Sequence, residues 1–499
     1  MKLPHSTQNW TTLIGATIAS ISLALILFLL LISFFVRAGG AYLGLIIYIL
    51  LPAVMVMGLL LIPVGMFFKV RQDRRGAILG GLDWPMVDLN NVRHRNAFFI
   101  FSGGTVALVF MSAFGSYEAY HFTESVTFCG TVCHSVMHPE YTAYQNSPHA
   151  RVACVGCHVG PGADWYVRSK ISGLYQVYAV TVNNYPRPIP TPIENLRPAR
   201  ETCEECHWPQ KFYAQSVRYE THYLPDKDNT EWNIELIMKI GAQRSALGLS
   251  EGIHWHINRD VRIEYIADAV RQKILWVRYT NRGTGAVRIF QDKAAPLSED
   301  QVRTAEIRTM DCMDCHNRPS HDYRAPTIFL NDAMTSGAIP REIPDIKSVA
   351  VELCAKEYPS EEAAFQAIEA GVQDHYRTKY PDLYAANRQL IDQAAEGVKQ
   401  AFSRNIFPVM KVRWSAYPND IGHLEFNGCF RCHNGTHSTQ DGQVISRDCN
   451  LCHFIVAQGT PNKMEAASVE RQLEFRHPED IGDMWKETLC TECHTGVSP

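Results

Sequence analysis

Seven short motifs, each a pair of cysteines followed at once by a histidine, constrain this chain more than any other feature. Six of them read C-x-x-C-H, and the first, CGTVCH at residues 129–134, has one additional residue between its cysteines. C-x-x-C-H is the attachment signature of c-type haem. Two thiols reach two vinyl groups on one edge of a porphyrin, and the histidine reaches the iron. The motifs therefore predict seven covalently bound haem c groups.

The motifs use 14 of the 15 cysteines in the 499 residues. The predicted thioether positions are Cys129, Cys133, Cys154, Cys157, Cys203, Cys206, Cys312, Cys315, Cys429, Cys432, Cys449, Cys452, Cys490 and Cys493. The predicted proximal iron ligands are His134, His158, His207, His316, His433, His453 and His494. Zinc and disulfides are the alternatives, but tetrahedral zinc takes cysteine pairs two at a time, and neither alternative requires a histidine after every pair. Cys354 stands alone and is predicted to be a small buried apolar residue.

Each iron has a second axial position, and the chain offers more candidates than it needs. Outside the motifs, the part of the chain after residue 120 holds 11 histidines. The predicted distal ligands are Met137, His149, His222, His254, His256, His321, His423, His437 and His477. Iron held by two histidines has no open position, so this surplus favours electron conduction over catalysis at the iron.

The first motif leaves two alternatives open. Gly130 lets the longer loop bulge so that both thiols reach the porphyrin, whereas attachment through Cys133 alone is the other solution. Met137, three residues after His134, is either the distal ligand or a side chain that packs on the haem edge. A thioether ligand would raise the reduction potential relative to ligation by two histidines.

Three apolar segments precede the motifs, at residues 13–36, 41–68 and 97–116, and they contain no Asp, Glu, Lys, Arg or His. Each reaches the roughly 20 residues that cross a bilayer as a helix. The first is longer than a signal-peptide core, so we expect a retained anchor, with a cleaved signal as the alternative. The loop at 69–96 is rich in Lys and Arg, which predicts a cytoplasmic N-terminus and a periplasmic part after residue 120, at a bacterial inner membrane.

The predicted organisation has five parts. They are a membrane anchor at 1–120, a three-motif region at 121–210, a β-containing insert at 211–310, the fourth motif with a helical scaffold at 311–422, and a three-motif cluster at 423–499. In the insert, VRIEYIA, KILWVRYTN and AVRIFQD are typical of strands. The predicted fold is mainly α and packed around haem, with three transmembrane helices and a small β-rich insert. The net charge of −4 and the scattered basic residues do not favour nucleic acid as a partner.

Residues 97–210 resemble the NapC/NirT family of membrane-anchored, quinol-oxidising cytochromes c. The resemblance rests on a membrane span, a haem motif with a nearby methionine, and the segment SPHARVACVGCHVGPGADWYVRSKISG. It implies a first haem beside a quinol site at the membrane surface, His149 as a ligand of a neighbouring haem, and Lys170 at the quinol. Where the family often has an acidic residue further along this segment, the chain reads LYQVYAV, with Gln176 and Tyr178.

Seven motifs with three spans are most similar to the seven-haem inner-membrane cytochromes of metal-respiring bacteria. That similarity implies oxidation of menaquinol and transfer of electrons to periplasmic c-type cytochromes in anaerobic respiration. The predicted function is that of a quinol:cytochrome c oxidoreductase anchored in the lipid bilayer. A terminal reductase of a small oxyanion and an electron-transfer subunit of a membrane oxidoreductase complex are the alternatives.

The segment 164–181 has a helical pattern of its own. Val167, Ile171, Leu174 and Tyr178 recur at helical spacing and form an apolar stripe. Aromatic and basic residues beside the stripe suit a membrane interface. We expect a helix at the membrane surface, and a helix packed on the haem region is the alternative.

Overall fold

The computed structural model describes residues 5–35, 46–76, 88–132, 134–160, 162–193, 197–209, 212–241, 252–468 and 471–497. The chain divides into two compact units, Met1–Met137 with Ala153–Val155 and His138–Val152 with Gly156–Pro499. Cys133 and positions 41–45 of the second apolar segment lie outside the described residues, and the side chain of His134 is not described either.

Three long helices form most of the first unit. They are α1 (Trp10–Phe35), α2 (Leu51–Gly76), which continues a π-helical turn at Ile46–Leu50, and α3 (Val92–Thr123). All three are long and apolar enough to cross a membrane, which confirms the three predicted spans as helices. α3 extends beyond the apolar segment 97–116 at both ends. It begins where the side chain of Asn91 accepts a hydrogen bond from the N–H of Arg93.

α1 and α2 pack against each other through small residues. A Cβ atom added at Gly15 would lie 2.6 Å from the carbonyl oxygen of Gly58, and one added at Gly58 would lie 2.8 Å from the backbone nitrogen of Ala19. The Thr12 hydroxyl also donates to the carbonyl oxygen of Ile62, at 3.3 Å. The two backbones are therefore in direct contact, as small residues allow in helix pairs of membrane proteins.

Helices make up a large part of the remaining chain. In chain order they are α4 (His134–Gln145), α5 (Cys154–His158), α6 (Ala163–Thr181), α7 (Ala199–Cys203), α8 (Glu299–Thr304), α9 (Pro326–Thr335), α10 (Ile346–Ala355), α11 (Glu361–Lys379), α12 (Pro381–Ala386), α13 (Arg388–Ser403) and α14 (Met484–Glu487). The helices α9 to α13 form the predicted scaffold around fully buried side chains such as Leu330, Ile368 and Phe402. Cys354 belongs to this core and is fully buried.

Nine strands in the described residues form two antiparallel sheets. In chain order they are β1 (Gln215–Tyr223), β2 (Glu231–Lys239), β3 (Val261–Ala267), β4 (Ile274–Asn281), β5 (Val287–Asp292), β6 (Arg308–Thr309), β7 (His437–Ser438), β8 (His453–Thr460) and β9 (Lys463–Ala466). One sheet has the order β1-β2-β8-β9 and the other the order β6-β3-β4-β5-β7. The sequence pattern predicts β3, β4 and β5, and the structure adds six further strands.

The β structure is larger than the sequence predicts because it extends beyond the insert. β2 pairs with β8 from Asn233↔Gly459 to Met238↔His453. The strand β8 begins at the histidine of the sixth motif, so the insert and the C-terminal part of the chain share one sheet. β5 pairs with β7 through Asp292↔His437 and joins the other sheet to the same part of the chain.

Candidate functional site

The second to seventh motifs fold as single helical turns that bring their three functional side chains to one side. In four of them the N–H of the histidine donates to the carbonyl oxygen of the first cysteine. These bonds join His207 to Cys203, His316 to Cys312 and His494 to Cys490, each at 2.8 Å, and His433 to Cys429 at 3.1 Å. In such a turn, positions i, i+3 and i+4 are neighbours on one face. The spacing C-x-x-C-H therefore presents both thiols and the imidazole to one bound group.

Six of the seven motif histidines face a second histidine. The ring centres are 6.1 Å apart for His158 and His321, 6.0 Å for His207 and His149, 6.2 Å for His316 and His254, 5.9 Å for His433 and His256, 6.1 Å for His453 and His423, and 6.0 Å for His494 and His477. When a metal atom lies between two imidazoles, its two metal–nitrogen bonds of about 2 Å and the distance from each nitrogen to its ring centre place the ring centres about 6 Å apart. Each pair thus has room for one metal atom between its rings.

The second histidine of most pairs is held by a hydrogen bond at its other nitrogen. The Nδ1 atoms of five rings lie within hydrogen-bond distance of backbone carbonyl oxygens. The pairs are His149 with Pro319 at 3.0 Å, His254 with Ile240 at 3.0 Å, His256 with Ile253 at 2.8 Å, His321 with Glu140 at 3.0 Å and His477 with Glu479 at 3.0 Å. A proton on Nδ1 leaves Nε2 with its lone pair, and such a bond typically orients a metal-bound imidazole.

Burial favours the neutral form of several of the paired imidazoles. It lowers the pKa of His321 and of His453 to about 4. Burial also lowers the pKa of His158, His256 and His423. Metal binding requires the neutral ring, so the surroundings favour the protonation state that a ligand needs.

A cavity of about 2420 Å³ connects the third to the seventh motif. Its wall includes the motif histidines from His207 to His494 and apolar side chains such as Trp232, Phe290 and Phe475. Divided among five motifs, the volume is about 480 Å³ each, within the range of about 300–1,000 Å³ of pockets that enclose a cofactor-sized molecule. The cavity and the histidine pairs both fit haem. Among the described residues, no group of three or more His, Cys, Asp or Glu could hold a bare metal ion such as zinc.

Consecutive motifs are neighbours in space as well as in sequence. A hydrogen bond between the thiols of Cys129 and Cys154 lowers the pKa of Cys154 to about 7. A hydrogen bond with Cys312 raises the pKa of the Cys203 thiol, and the nearby Cys157 contributes to the same shift. These contacts link the first motif to the second, the second to the third, and the third to the fourth.

Contacts between consecutive motifs continue to the C-terminal end of the chain. Burial raises the pKa of the Cys315 thiol to about 12, and the nearby Cys429 contributes to that rise. Burial and then Cys429 raise the pKa of Cys452 to about 11. The sulfur of Cys490 lies 3.9 Å from Nδ1 of His423, the ring that faces the sixth motif. The seven motifs therefore form one series in chain order.

Comparison with known proteins identifies the family. The model of the N-terminal region of the NapC/NirT cytochrome c family matches residues 91–188. The chain is 44% identical over 492 residues to the cytochrome c-type protein ImcH of Geobacter sulfurreducens, and the alignment covers 98% of this chain and 96% of that protein. The chain belongs to the NapC/NirT family of c-type cytochromes. It is thus a membrane-anchored multihaem cytochrome whose haem c is covalently bound.

A second relative matches a shorter region. The chain is 33% identical over 78 residues to the cytochrome c-type protein NrfH of Wolinella succinogenes, which is 15% of this chain and 44% of that protein. No solved structure matches the chain.

Two of the predicted distal ligands of this cytochrome have other surroundings. His437 is fully buried. Its Nε2 lies 2.9 Å from the carbonyl oxygen of Ile274 and its Nδ1 lies 3.0 Å from Oδ1 of Asn434, so both ring nitrogens are engaged. The Nδ1 of His222 lies 3.3 Å from the side-chain nitrogen of Asn331. Neither ring is placed against a motif histidine as the six paired rings are.

The residues before the second cysteine of the first motif form a wide helical turn. Residues Phe128–Val132 form a π-helical turn, which holds one more residue than an α-helical turn, and Gly130 is buried within it. Attachment through both thiols and attachment through Cys133 alone both stay predictions, since Cys133 lies outside the described residues. Met137 is half-buried on α4, and its role at the first iron stays a prediction.

α6 carries the other residues that the resemblance assigns to the quinol. Lys170 is half-buried, with its Nζ 4.9 Å from the ring centre of Tyr166. Gln176 and Tyr178 are exposed. The apolar side chains of α6 that are more than half exposed are Val167, Ile171, Leu174, Tyr175, Val177 and Tyr178. A continuous exposed apolar face of this kind suits a helix that lies on a membrane or another partner.

Arg431, inside the fifth motif, is a structural residue that the sequence pattern misses. Its buried guanidinium forms an ion pair with Asp420, with Nη1 and Oδ2 3.0 Å apart. The same side chain donates to the carbonyl oxygens of Arg271, at 2.9 Å, and of Asp314, which lies inside the fourth motif. Arg431 thus ties the fifth motif to the fourth and to the insert. The only signal in the sequence is a charged residue at a position that C-x-x-C-H leaves unspecified.

Proposed function

We propose that this cytochrome oxidises a quinol, with menaquinol as the expected substrate, at the outer surface of a bacterial inner membrane and passes electrons to periplasmic c-type cytochromes. The observation that carries the proposal is the series of six histidine pairs. Haem iron held between two imidazoles would have no open position for a substrate, so the six sites suit conduction. When bound, haem c would supply a one-electron couple at each of seven motifs.

The chain's own residues would fix the conducting groups. The cysteine pairs would hold one edge of each porphyrin, and the paired histidines would hold the iron in a dry, apolar cavity. Buried surroundings prevent large rearrangement of water when the charge of a site changes, which favours rapid electron exchange. The contacts between consecutive motifs support a single path from the first motif to the seventh.

The quinol end of the proposal rests on the family resemblance and on the chemistry of α6. Lys170 would donate a hydrogen bond to a quinol oxygen, and Gln176 and Tyr178 would offer further polar contacts. Met137 would tune the first iron. The exposed apolar face of α6 supports contact with the bilayer in which quinols dissolve. The proposed orientation has the N-terminus in the cytoplasm and the motifs in the periplasm.

Oxidation of a menaquinol analogue by the purified, haem-loaded protein tests this function. We expect Lys170→Ala to lower kcat/KM by about 10- to 100-fold, because a hydrogen bond to a charged group contributes about 1.5–3 kcal/mol. Lys463→Ala, in the exposed hairpin of β8 and β9, is the matched control and should leave the rate unchanged. Equal rates for Lys170→Ala and the unaltered protein would contradict the role of Lys170.

The terminal-reductase alternative requires an iron with an open position away from the membrane. The last three motif histidines each face a second ring, which does not favour this alternative. High-spin iron assigned to motifs five to seven would revive it. Inactivity of the isolated chain with every quinol, together with a stably copurifying dehydrogenase, would favour the subunit alternative.

A further inference from the structure

The end of α3 that leads to the first motif projects beyond the hydrocarbon layer. A helix of 32 residues is about 48 Å long at 1.5 Å per residue, whereas the hydrocarbon core of a bilayer is about 30 Å thick. The apolar segment 97–116 is long enough to cross that core by itself. The last turns of α3, from residue 117 to Thr123, therefore extend into the headgroup layer. The π-helical turn of the first motif follows at Phe128–Val132.

These last turns carry a row of titratable side chains. Between residues 97 and 128, the residues of the types Asp, Glu, Lys, Arg and His are Glu118, His121 and Glu124. They are spaced by three residues, and residues three apart are neighbours on one face of a helix. His121 is exposed, and Glu118 and Glu124 are half-buried. The row thus leads from the membrane side of the helix end to its outer end.

Two tyrosines flank the imidazole in the middle of the row. The ring centre of Tyr117 lies 4.3 Å from that of His121, and the ring centre of Tyr120 lies 5.5 Å from it. Both tyrosines are exposed, at 60% and 48%. The result is an aromatic surface with a titratable centre at the level where the head of a membrane quinol resides.

Quinol oxidation requires a proton acceptor, and the three residues of α6 that the family resemblance places at the quinol, Lys170, Gln176 and Tyr178, do not provide a good one. Each quinol loses two protons with its two electrons. An ammonium ion, an amide and a phenol all accept protons poorly near neutral pH. Imidazole is the side chain that accepts a proton near neutral pH. The acceptor is therefore to be sought among other residues than these three.

We propose that His121 accepts the quinol protons, with Glu118 and Glu124 as the neighbouring groups that complete a path to the outer water. In each of two successive steps, an O–H bond of the quinol would break and an N–H bond would form on the imidazole, which would lose that proton again before the second step. Haem at the first motif would supply the one-electron acceptor for each step. The imidazolium then releases its proton to water beyond Glu124. The inference rests on the proposed function and names the proton acceptor of the proposed quinol oxidation.

The surroundings of His121 suit this role. Glu118 and Glu124 lie three residues before and after His121, so both carboxylates are neighbours of the ring on the helix surface. The π-helical turn of the first motif packs on the end of α3, with the rings of Phe122 and Phe128 5.3 Å apart. The turn of the first motif contributes one titratable side chain near α3, that of Cys129. The turn at Ile46–Leu50 also contacts α3, and its sequence, IIYIL, contains no charged residue.

His121→Gln and His94→Gln form a matched pair for the test. His94 lies at the opposite end of α3, where its Nδ1 accepts a hydrogen bond from the N–H of Asp88 at 3.3 Å. Quinol oxidation by the full-length, haem-loaded protein is measured from pH 5 to pH 9 in lipid nanodiscs. We expect His121→Gln to lower the rate about 100-fold, the lower range of general base catalysis. It should also abolish the rise in rate that accompanies deprotonation of an imidazole. His94→Gln should keep both the rate and the profile.

Chemical rescue separates a proton acceptor from a structural residue. Added free imidazole should restore a substantial part of the rate of His121→Gln, and the first haem should keep its potential and spectrum in that variant. A His121→Gln protein with an unchanged rate and pH profile would overturn this inference and leave the proposed function standing. Failure of the unaltered protein to oxidise any quinol would overturn both.

Discussion

Two histidines separated by one residue face the histidines of two different motifs in this cytochrome. His254 and His256 lie on the short turn Ile253–Ile257, where His254 faces His316 and His256 faces His433. A 3-10 turn has three residues per turn, so side chains two residues apart point about 120° away from each other. One turn would therefore hold ligand positions for both the fourth and the fifth motif, which Arg431 also joins.

Spin state distinguishes the paired histidines from the unpaired ones. We expect His256→Ala to open one coordination position at the fifth motif and to produce one high-spin haem, detected by electron paramagnetic resonance. His437→Ala should lower the stability, because it removes a buried ring with two hydrogen bonds, but all haems should keep their spin state. A high-spin signal in His437→Ala, or its absence in His256→Ala, would contradict this assignment of ligands.

The motif histidines can be predicted from the sequence because thioether chemistry fixes their spacing within one turn of chain. Their partners cannot be predicted in the same way. His321 faces His158 and His149 faces His207 because of tertiary folding, and local sequence specifies neither contact. The setting of His437, shortly after the fifth motif, favours a distal ligand just as strongly as that of His321 after the fourth. The structure separates the two, because the ring of His321 faces His158, whereas both ring nitrogens of His437 are engaged in hydrogen bonds.

At the scale of elements, the pair α1 and α2 depends on glycine. We expect Gly58→Leu to destabilise the membrane part by about 1–3 kcal/mol, the usual cost of overpacking, because a Cβ at this position would meet the backbones of Ala19 and Gly15. Gly103→Leu in α3 is the matched control, since a Cβ there has no atom within 4 Å among the described residues. Thermal unfolding in detergent would measure both. Equal melting temperatures for the two variants would contradict the packing of α1 on α2.

The sheets show why some elements escape prediction. β3, β4 and β5 follow one another, and their alternating residues and a short turn are local signals. β2 and β8 pair across more than 200 residues, from Asn233↔Gly459 to Met238↔His453. β8 also begins with a motif histidine, where the sequence alone favours an irregular turn beside haem. Buried and less buried residues do not alternate regularly along β8, because one end of the strand belongs to the sixth motif and the other end belongs to the sheet.

At the scale of the whole molecule, the cysteine contacts between neighbouring motifs follow the order of the motifs in the chain. The fourth motif occupies the middle of this series. Its Cys312 contacts Cys203 of the third motif, and its Cys315 is close to Cys429 of the fifth. Loss of the fourth haem should therefore separate the haems of motifs one to three from the haems of motifs five to seven.

Replacement of both fourth-motif cysteines, Cys312→Ser with Cys315→Ser, tests this arrangement. We expect quinol to reduce the first three haems at the normal rate and the last three far more slowly, while dithionite reduces all six, as followed by stopped-flow absorbance. The matched control, Cys490→Ser with Cys493→Ser, removes the last haem and should leave rapid reduction of the other six intact. This control also shows whether the protein matures when one haem is missing. Rapid reduction of all six remaining haems in the fourth-motif variant would mean that electrons have a second route, and the series would then be a branched network.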